Sequence, residues 1–368
     1  MGCAVTAAAA VAAWRYFRRA RPLLTAKEAG LGLKLMHPVH GYKHLVEEGT
    51  GLIQPFDFDL AAVRGLRQHF QLRARDVVIA TYPKCGTTWM QQLVLLLLRG
   101  SDAECTPMRD APWLEMSVSS AANGSKSSSP PISVDALCAR PAPLDGGRRV
   151  WKTHAPEHAA PWRATAAARR KERKSGRTAS AAGAAGAAAA GAKVIVVARN
   201  AKDAAVSMLH HTANIPPFEW HGGWAEFVPL FLEGRLESNS FWEWYAGWWV
   251  ASREQPSCVL WLTFEEMSAD LLGVAARVAT HLGLQRSDAE LRAVADRCGF
   301  SKMRKEAAAR DAAAAQSGAH VKKDHLRKGQ VGAWRAVLRQ EDVDAFDAKN
   351  LALAARCDGL LLYEGEAS

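Results

Sequence analysis

The 368 residues carry 47 Lys and Arg against 37 Asp and Glu, a formal net charge of +10. Nearly all of the excess lies in Arg15–Arg21 and Arg169–Arg177, and no basic-aromatic pattern of a nucleic-acid module accompanies it, so a nucleic-acid partner is not expected. The cysteines at 3, 85, 105, 138, 258, 298 and 357 are odd in number and never spaced Cys-x-x-Cys, which argues for a reducing compartment and against a zinc site or disulfide framework.

Residues 1–27 are rich in alanine and arginine and contain no acid. The apolar stretch Cys3–Trp14 is too short to cross a bilayer as a helix. Met1-Gly2 followed by Thr6 fits a myristoylation pattern, with Cys3 as a second acyl site; the composition also suits an organelle transit peptide. Disordered leader, membrane anchor and targeting segment all stay open, and the main domain is expected over 41–360.

Val77–Ala80 reads as a strand buried on both faces. Pro83 and Gly86 break it, and Thr87 opens an apolar helix that ends at Arg99-Gly100. Strand, tight turn and helix N-terminus together form an anion site built on backbone N–H groups, with Lys84 adding a charge and Thr87 and Thr88 adding hydroxyls. The order differs from a Walker A loop, because the lysine precedes a lone glycine.

Residues 101–147 hold AANGSKSSSPP and PAPLDGG and read as an irregular insertion. Arg148–Thr153 is a strand that runs into Lys152-Thr153-His154-Ala155-Pro156. Residues 164–192, made of alanine, glycine and basic side chains, read as a linker or a marginal surface helix. Lys193–Ala198 is the clearest buried strand. Arg199 at its end and Ser207 two turns into the following helix can converge on one anion; alternatively Arg199 pairs with Asp203 on the surface. The aromatics of 218–250 read first as core, with some lining an apolar pocket. Val259–Phe264 is a further strand, and 305–319 an exposed helix or cover loop. Arg327, Lys328 and the Gly329 amide form a cluster suited to a phosphate dianion.

Thr81–Trp89, TYPKCGTTW, closely resembles the phosphosulfate-binding loop of the cytosolic sulfotransferases, which usually has serine at the position of Cys85. The resemblance covers roughly residues 41–350 apart from the two insertions. It implies 3′-phosphoadenylyl sulfate (PAPS) as co-substrate, 3′-phosphoadenosine 5′-phosphate (PAP) as product, and no metal. The loop from Lys84 and Cys85 through Gly86, Thr87 and Thr88 would hold the 5′ side. The resemblance makes His154 the base, Lys84 the neutraliser of the leaving phosphate and Lys152 the support of the sulfuryl oxygens. Arg199 and Ser207 match the family's 3′-phosphate segment, with Arg327, Lys328 and Gly329 at the same end. Trp89 and Phe300 would sandwich adenine, and Phe264 stands where the family carries an adenine-contacting tyrosine.

The chain departs from the pattern elsewhere too. Cys298 and Gly299 replace two hydroxyl residues before Phe300, and Ala333 replaces an aspartate before Trp334. The family's dimer motif after Trp334 is not matched, so that dimer is not expected. These departures motivate an alternative, a regulatory protein that binds PAP or PAPS with little turnover. A P-loop kinase is disfavoured by the loop order and the lack of a metal-binding carboxylate. The expected fold is α/β, a doubly wound parallel sheet with helices on both faces and the site at the strands' C-terminal ends. The expected acceptor is a small apolar hydroxyl or amine compound, and the expected location is cytoplasmic, with an acylated membrane anchor or organelle import as the alternatives.

Overall fold

In the computed structural model the described residues are 23–28, 32–37, 41–47, 50–118, 132–141, 144, 147–162, 182–215, 218–316 and 329–362. Two sheets result. Strands β1 (Leu23–Glu28), β2 (Gly32–His37), β3 (Gly41–Glu47) and β4 (Ile53–Pro55) form an antiparallel sheet in sequential order. Strand β1 thus takes up Leu23–Lys27 of the segment read as leader.

The central sheet contains β5 (Val77–Thr81), β6 (Val150–Thr153), β7 (Lys193–Ala198) and β8 (Val259–Thr263), all parallel, in the order β6-β5-β7-β8. Its unbroken apolar strands are explained by cover on both faces. Val78, Ala80, Val194 and Val196 pack with α1 (Leu60–His69), α3 (Ala182–Ala189), α4 (Ala201–Ala213) and α5 (Phe241–Glu254). Val77, Ile79, Ile195 and Val197 face the other way, onto α2 (Thr87–Arg99), α7 (Leu271–Leu282) and α8 (Asp288–Arg297). The two-residue period of a strand sends alternate side chains into these two cores. This is the doubly wound α/β sheet that the apolar runs predict.

Two expectations about the insertions change. Helix α3 is not a surface linker, because Ala184 and Ala187 are fully buried. Gly183 allows its close approach: a Cβ there would lie 2.6 Å from Glu157 O and 2.7 Å from Ala160 Cβ. Ala184 N donates to Glu157 Oε1 at 2.8 Å, and Trp162 Nε1 to Gly183 O at 2.9 Å. Within the insertion at 101–147, the stretch around Pro112–Leu114 is not peripheral, since Lys152 N donates to Pro112 O and Leu114 N to Lys152 O, both at 3.0 Å. That segment therefore extends the edge of β6. The aromatics of 218–250 are core, with Phe227, Phe231, Phe241, Trp244, Tyr245 and Trp248 buried. Among the described residues no helix is long and apolar enough to cross a membrane.

Candidate active site

Sheet register assembles the site. Ala80 lies beside Thr153, Thr81 beside Val197, and Ala198 beside Thr263. The chain therefore leaves all four strands at one level, into Tyr82, His154, Arg199 and Phe264. With β6 and β7 on opposite sides of β5, the turn after β5 sits at the switch point where a crevice opens.

In that turn Lys84 and Gly86 both adopt the left-handed region, at φ 70° and 93°. Glycine is required at 86, because a Cβ would stand 3.0 Å from Phe264 Cδ2 on an already unfavourable φ. Gly86 caps α2 without a side-chain hydrogen bond, an arrangement that suits a helix N-terminus to an anion. Thr87 Oγ1 lies 2.6 Å from Thr81 Oγ1. Cys85 is the exception among the turn's residues. Its thiol is fully buried, Sγ lies 3.7 Å from Pro83 O, and its amide bonds Tyr82 O at 3.3 Å. Burial pushes the thiol up to about 12. Cys85 thus shapes the turn from the core side, and its side chain does not reach the crevice where a nucleotide-binding role was expected of it.

His154 is buried, with Nδ1 2.8 Å from Thr81 O. A carbonyl only accepts, so Nδ1 carries the proton and Nε2 the lone pair. Trp244 Nε1 holds His154 O at 2.9 Å, and Trp113 stands edge-on to the imidazole at 4.6 Å. The same indole carries Lys152 Nζ over its ring at 4.5 Å. Thr153 Oγ1 donates to Glu115 Oε1 at 2.5 Å and accepts from Ala155 N at 3.0 Å, which sets the backbone between Lys152 and His154. Burial raises the Glu115 carboxyl above its ordinary range. Trp113 and Glu115 come from the insertion, where no period or motif marked them.

Arg199 turns toward the Lys84 turn: Nη1 donates to Lys84 O at 2.9 Å and Nη2 to Gln330 O at 3.3 Å. It does not pair with Asp203. That carboxylate accepts Gly332 N at 2.7 Å and Trp334 N at 3.0 Å, fastening the chain after Gly329 onto α4. Buried Lys202 forms an ion pair with Asp347, Nζ to Oδ1 2.6 Å, and lies 4.5 Å over Trp334. Ser207 is half-buried two turns into α4. Gly329, at φ 61°, lies against the Phe300 ring, 2.4 Å from where a Cβ would stand. Arg327 and Lys328 lie outside the described residues. Trp89 donates Nε1 to Cys298 O at 2.8 Å and meets Phe264 edge-on at 5.3 Å.

The sulfotransferase domain family matches residues 74–357, from just before β5 to Cys357. The chain belongs to the sulfotransferase family. It is 26% identical over 298 residues to Sulfotransferase 1A1 of Mus musculus, covering 79% of this chain and 88% of that one. With Sulfotransferase 1B1 of Canis lupus familiaris it shares 27% over 288 residues, covering 76% and 83%. Among solved structures, a mouse sulfotransferase complexed with PAP superposes with a TM-score of 0.59 at 23% identity, over 84% of this chain and 94% of that one. Retinol dehydratase in complex with androsterone and PAP gives 0.67 at 19%, over 88% and 92%. In this sulfotransferase the matched region contains every residue described above at the four strand ends, while the antiparallel sheet precedes it.

Proposed function

We propose that this sulfotransferase moves a sulfuryl group from PAPS to the hydroxyl or amine of a small apolar acceptor, releasing PAP. One observation supports the reading most: the His154 imidazole and the Arg199 guanidinium bond the backbone of the same short stretch, at Thr81 O and Lys84 O. A base and a cation for the far phosphate are thereby tied to one anion-binding turn. The donor set fits a doubly phosphorylated adenosine. The α2 N-terminus lacks a side-chain cap, and buried Arg199 Nε has no partner among the described residues.

PAPS supplies the activated sulfuryl group, whose bond to the 5′-phosphate oxygen breaks as a bond to the acceptor oxygen or nitrogen forms. His154 Nε2 takes the acceptor proton, a contribution on the order of 10²–10⁴ in rate. Lys84 neutralises the charge growing on the phosphate side, and Lys152 steadies the sulfuryl oxygens. Gly86, Thr87 and Thr88 orient the 5′ end, and Arg199 and Ser207, with Arg327, Lys328 and Gly329, the 3′ end. Trp89 and Phe300 sandwich the base. A transferring sulfuryl group carries less charge than a phosphoryl group, so two lysines suffice. An apolar acceptor accords with Trp113 and the exposed Met108, whose Sδ lies 4.0 Å from Lys152 Nζ; one solved neighbour, retinol dehydratase, is seen with androsterone and with retinol. Cytoplasmic location, without the family's dimer, belongs to the same reading.

Thermal unfolding tests it. PAP should raise the midpoint without Mg²⁺ while ATP does so weakly; stabilisation by ATP that requires Mg²⁺ and equals that of PAP would overturn the assignment. Labelled donor with a panel of phenols, sterols, flavonoids and amines then identifies the acceptor class.

A further inference from the structure

Phe264 follows β8 directly and opens α6 (Phe264–Ala269). Its position is set by a two-way cap, in which Glu266 N donates to Thr263 Oγ1 at 3.0 Å and Thr263 N to Glu266 Oε2 at 2.7 Å. The ring is closed in by Trp89 at 5.3 Å and by Gly86. Over its face lies the Arg199 guanidinium, Cζ 4.1 Å from the centroid. One residue along each chain, Asn200 N donates to Glu265 Oε1 at 3.0 Å, a second tie between the same strand ends.

A guanidinium is planar, with five N–H groups around its edge. Here the face rests on a ring and two edge donors are taken by Lys84 O and Gln330 O. No carboxylate among the described residues lies within ion-pair distance of Arg199. A ring face covered by a cation is not open to a stacked base. We infer that Phe264 is a positioning residue: its ring face holds the Arg199 guanidinium in the orientation that receives the nucleotide's 3′-phosphate, and does not read the adenine. The inference rests on the PAPS reading of the crevice. It also explains why phenylalanine is acceptable where relatives are expected to carry tyrosine, since both rings present the same face.

The test titrates the full-length protein with PAP and with adenosine 5′-monophosphate, which lacks the 3′-phosphate. Phe264→Leu should weaken PAP about 10-fold or more, the effect of losing a desolvated cation–ring contact. Adenosine 5′-monophosphate should weaken by less than about threefold. Phe264→Tyr should keep the wild-type ratio of the two affinities. In an Arg199→Ala background, Phe264→Leu should add no further loss for PAP. Phe264→Met, which retains bulk without a ring, gives the same readout should the leucine variant not fold. Equal losses for both nucleotides, with a wild type that prefers PAP, would overturn the inference alone. A wild type that binds both equally has no 3′-phosphate site, and the reading of the crevice falls with it.

Discussion

Arg149 and Arg199 sit at opposite ends of the parallel sheet, both buried and both lying over aromatic rings. At the N-terminal end Arg149 finds a carboxylate inside the protein: Nε donates to Asp76 Oδ1 at 2.9 Å, and Nη2 pairs with Asp76 Oδ2. Cys138 O takes Nη1 at 3.0 Å. At the C-terminal end the partners of Arg199 among the described residues are neutral carbonyl acceptors and a ring face. A buried charge is tolerated when it is paired and fully hydrogen-bonded. Arg149 meets that condition within the fold, whereas Arg199 meets it only in part among the described residues; on the PAPS reading a nucleotide phosphate completes it. Both arginines are buried; what separates them is that the counter-charge of Arg149 lies within the fold.

The largest effects should fall on opposite observables. His154→Ala, at the open end, should lower turnover on the order of 10²–10⁴ while PAP still binds; unchanged turnover in the labelled-donor assay would remove its role as base. At the closed end, Asp76→Ala strands a buried guanidinium and should cost about 3–5 kcal/mol of stability, read from the urea midpoint. A near-neutral result there would break the contrast with Arg199. Next in size, Arg199→Ala should leave the urea midpoint within about 1 kcal/mol of wild type. The same change should weaken PAP by about 2–3 kcal/mol through lost bonds to a charged group. A large loss of stability would mean that Arg199 is structural after all.

The two ends were not equally visible in the chain. Strands β5 and β7 announce themselves as VVIA and KVIVVA, because cover on both faces leaves no polar positions. Lys84, His154 and Arg199 could be found because each follows such a strand within a few residues, where parallel register later brings them level. Trp113 and Glu115 could not, since they reach Lys152 and Thr153 by a tertiary bridge from a segment without period. Helix α3 was hidden for a related reason. Alanine and glycine show no apolar stripe, yet their smallness is what lets the backbone approach Glu157 and Ala160. Asp203 illustrates a third limit: two backbone amides from residues 332 and 334 claim it, a partner choice that lies outside local sequence.

Cys85 should give the smallest effect and sharpens the contrast most finely, because it lies in the anion-binding turn but points into the closed core. Cys85→Ser replaces a buried thiol beside Pro83 O with a hydroxyl that can donate to the same carbonyl. A net hydrogen bond contributes about 0.5–1.5 kcal/mol, and placing a more polar group in the core offsets part of it, so stability should move by less than about 1 kcal/mol. Turnover and PAP affinity should stay close to wild type. The native thiol, held up to about 12 by burial, should also resist iodoacetamide at neutral pH, since the thiolate is the reacting form. A serine variant with much faster turnover, or rapid alkylation blocked by PAP, would place this side chain in the crevice after all.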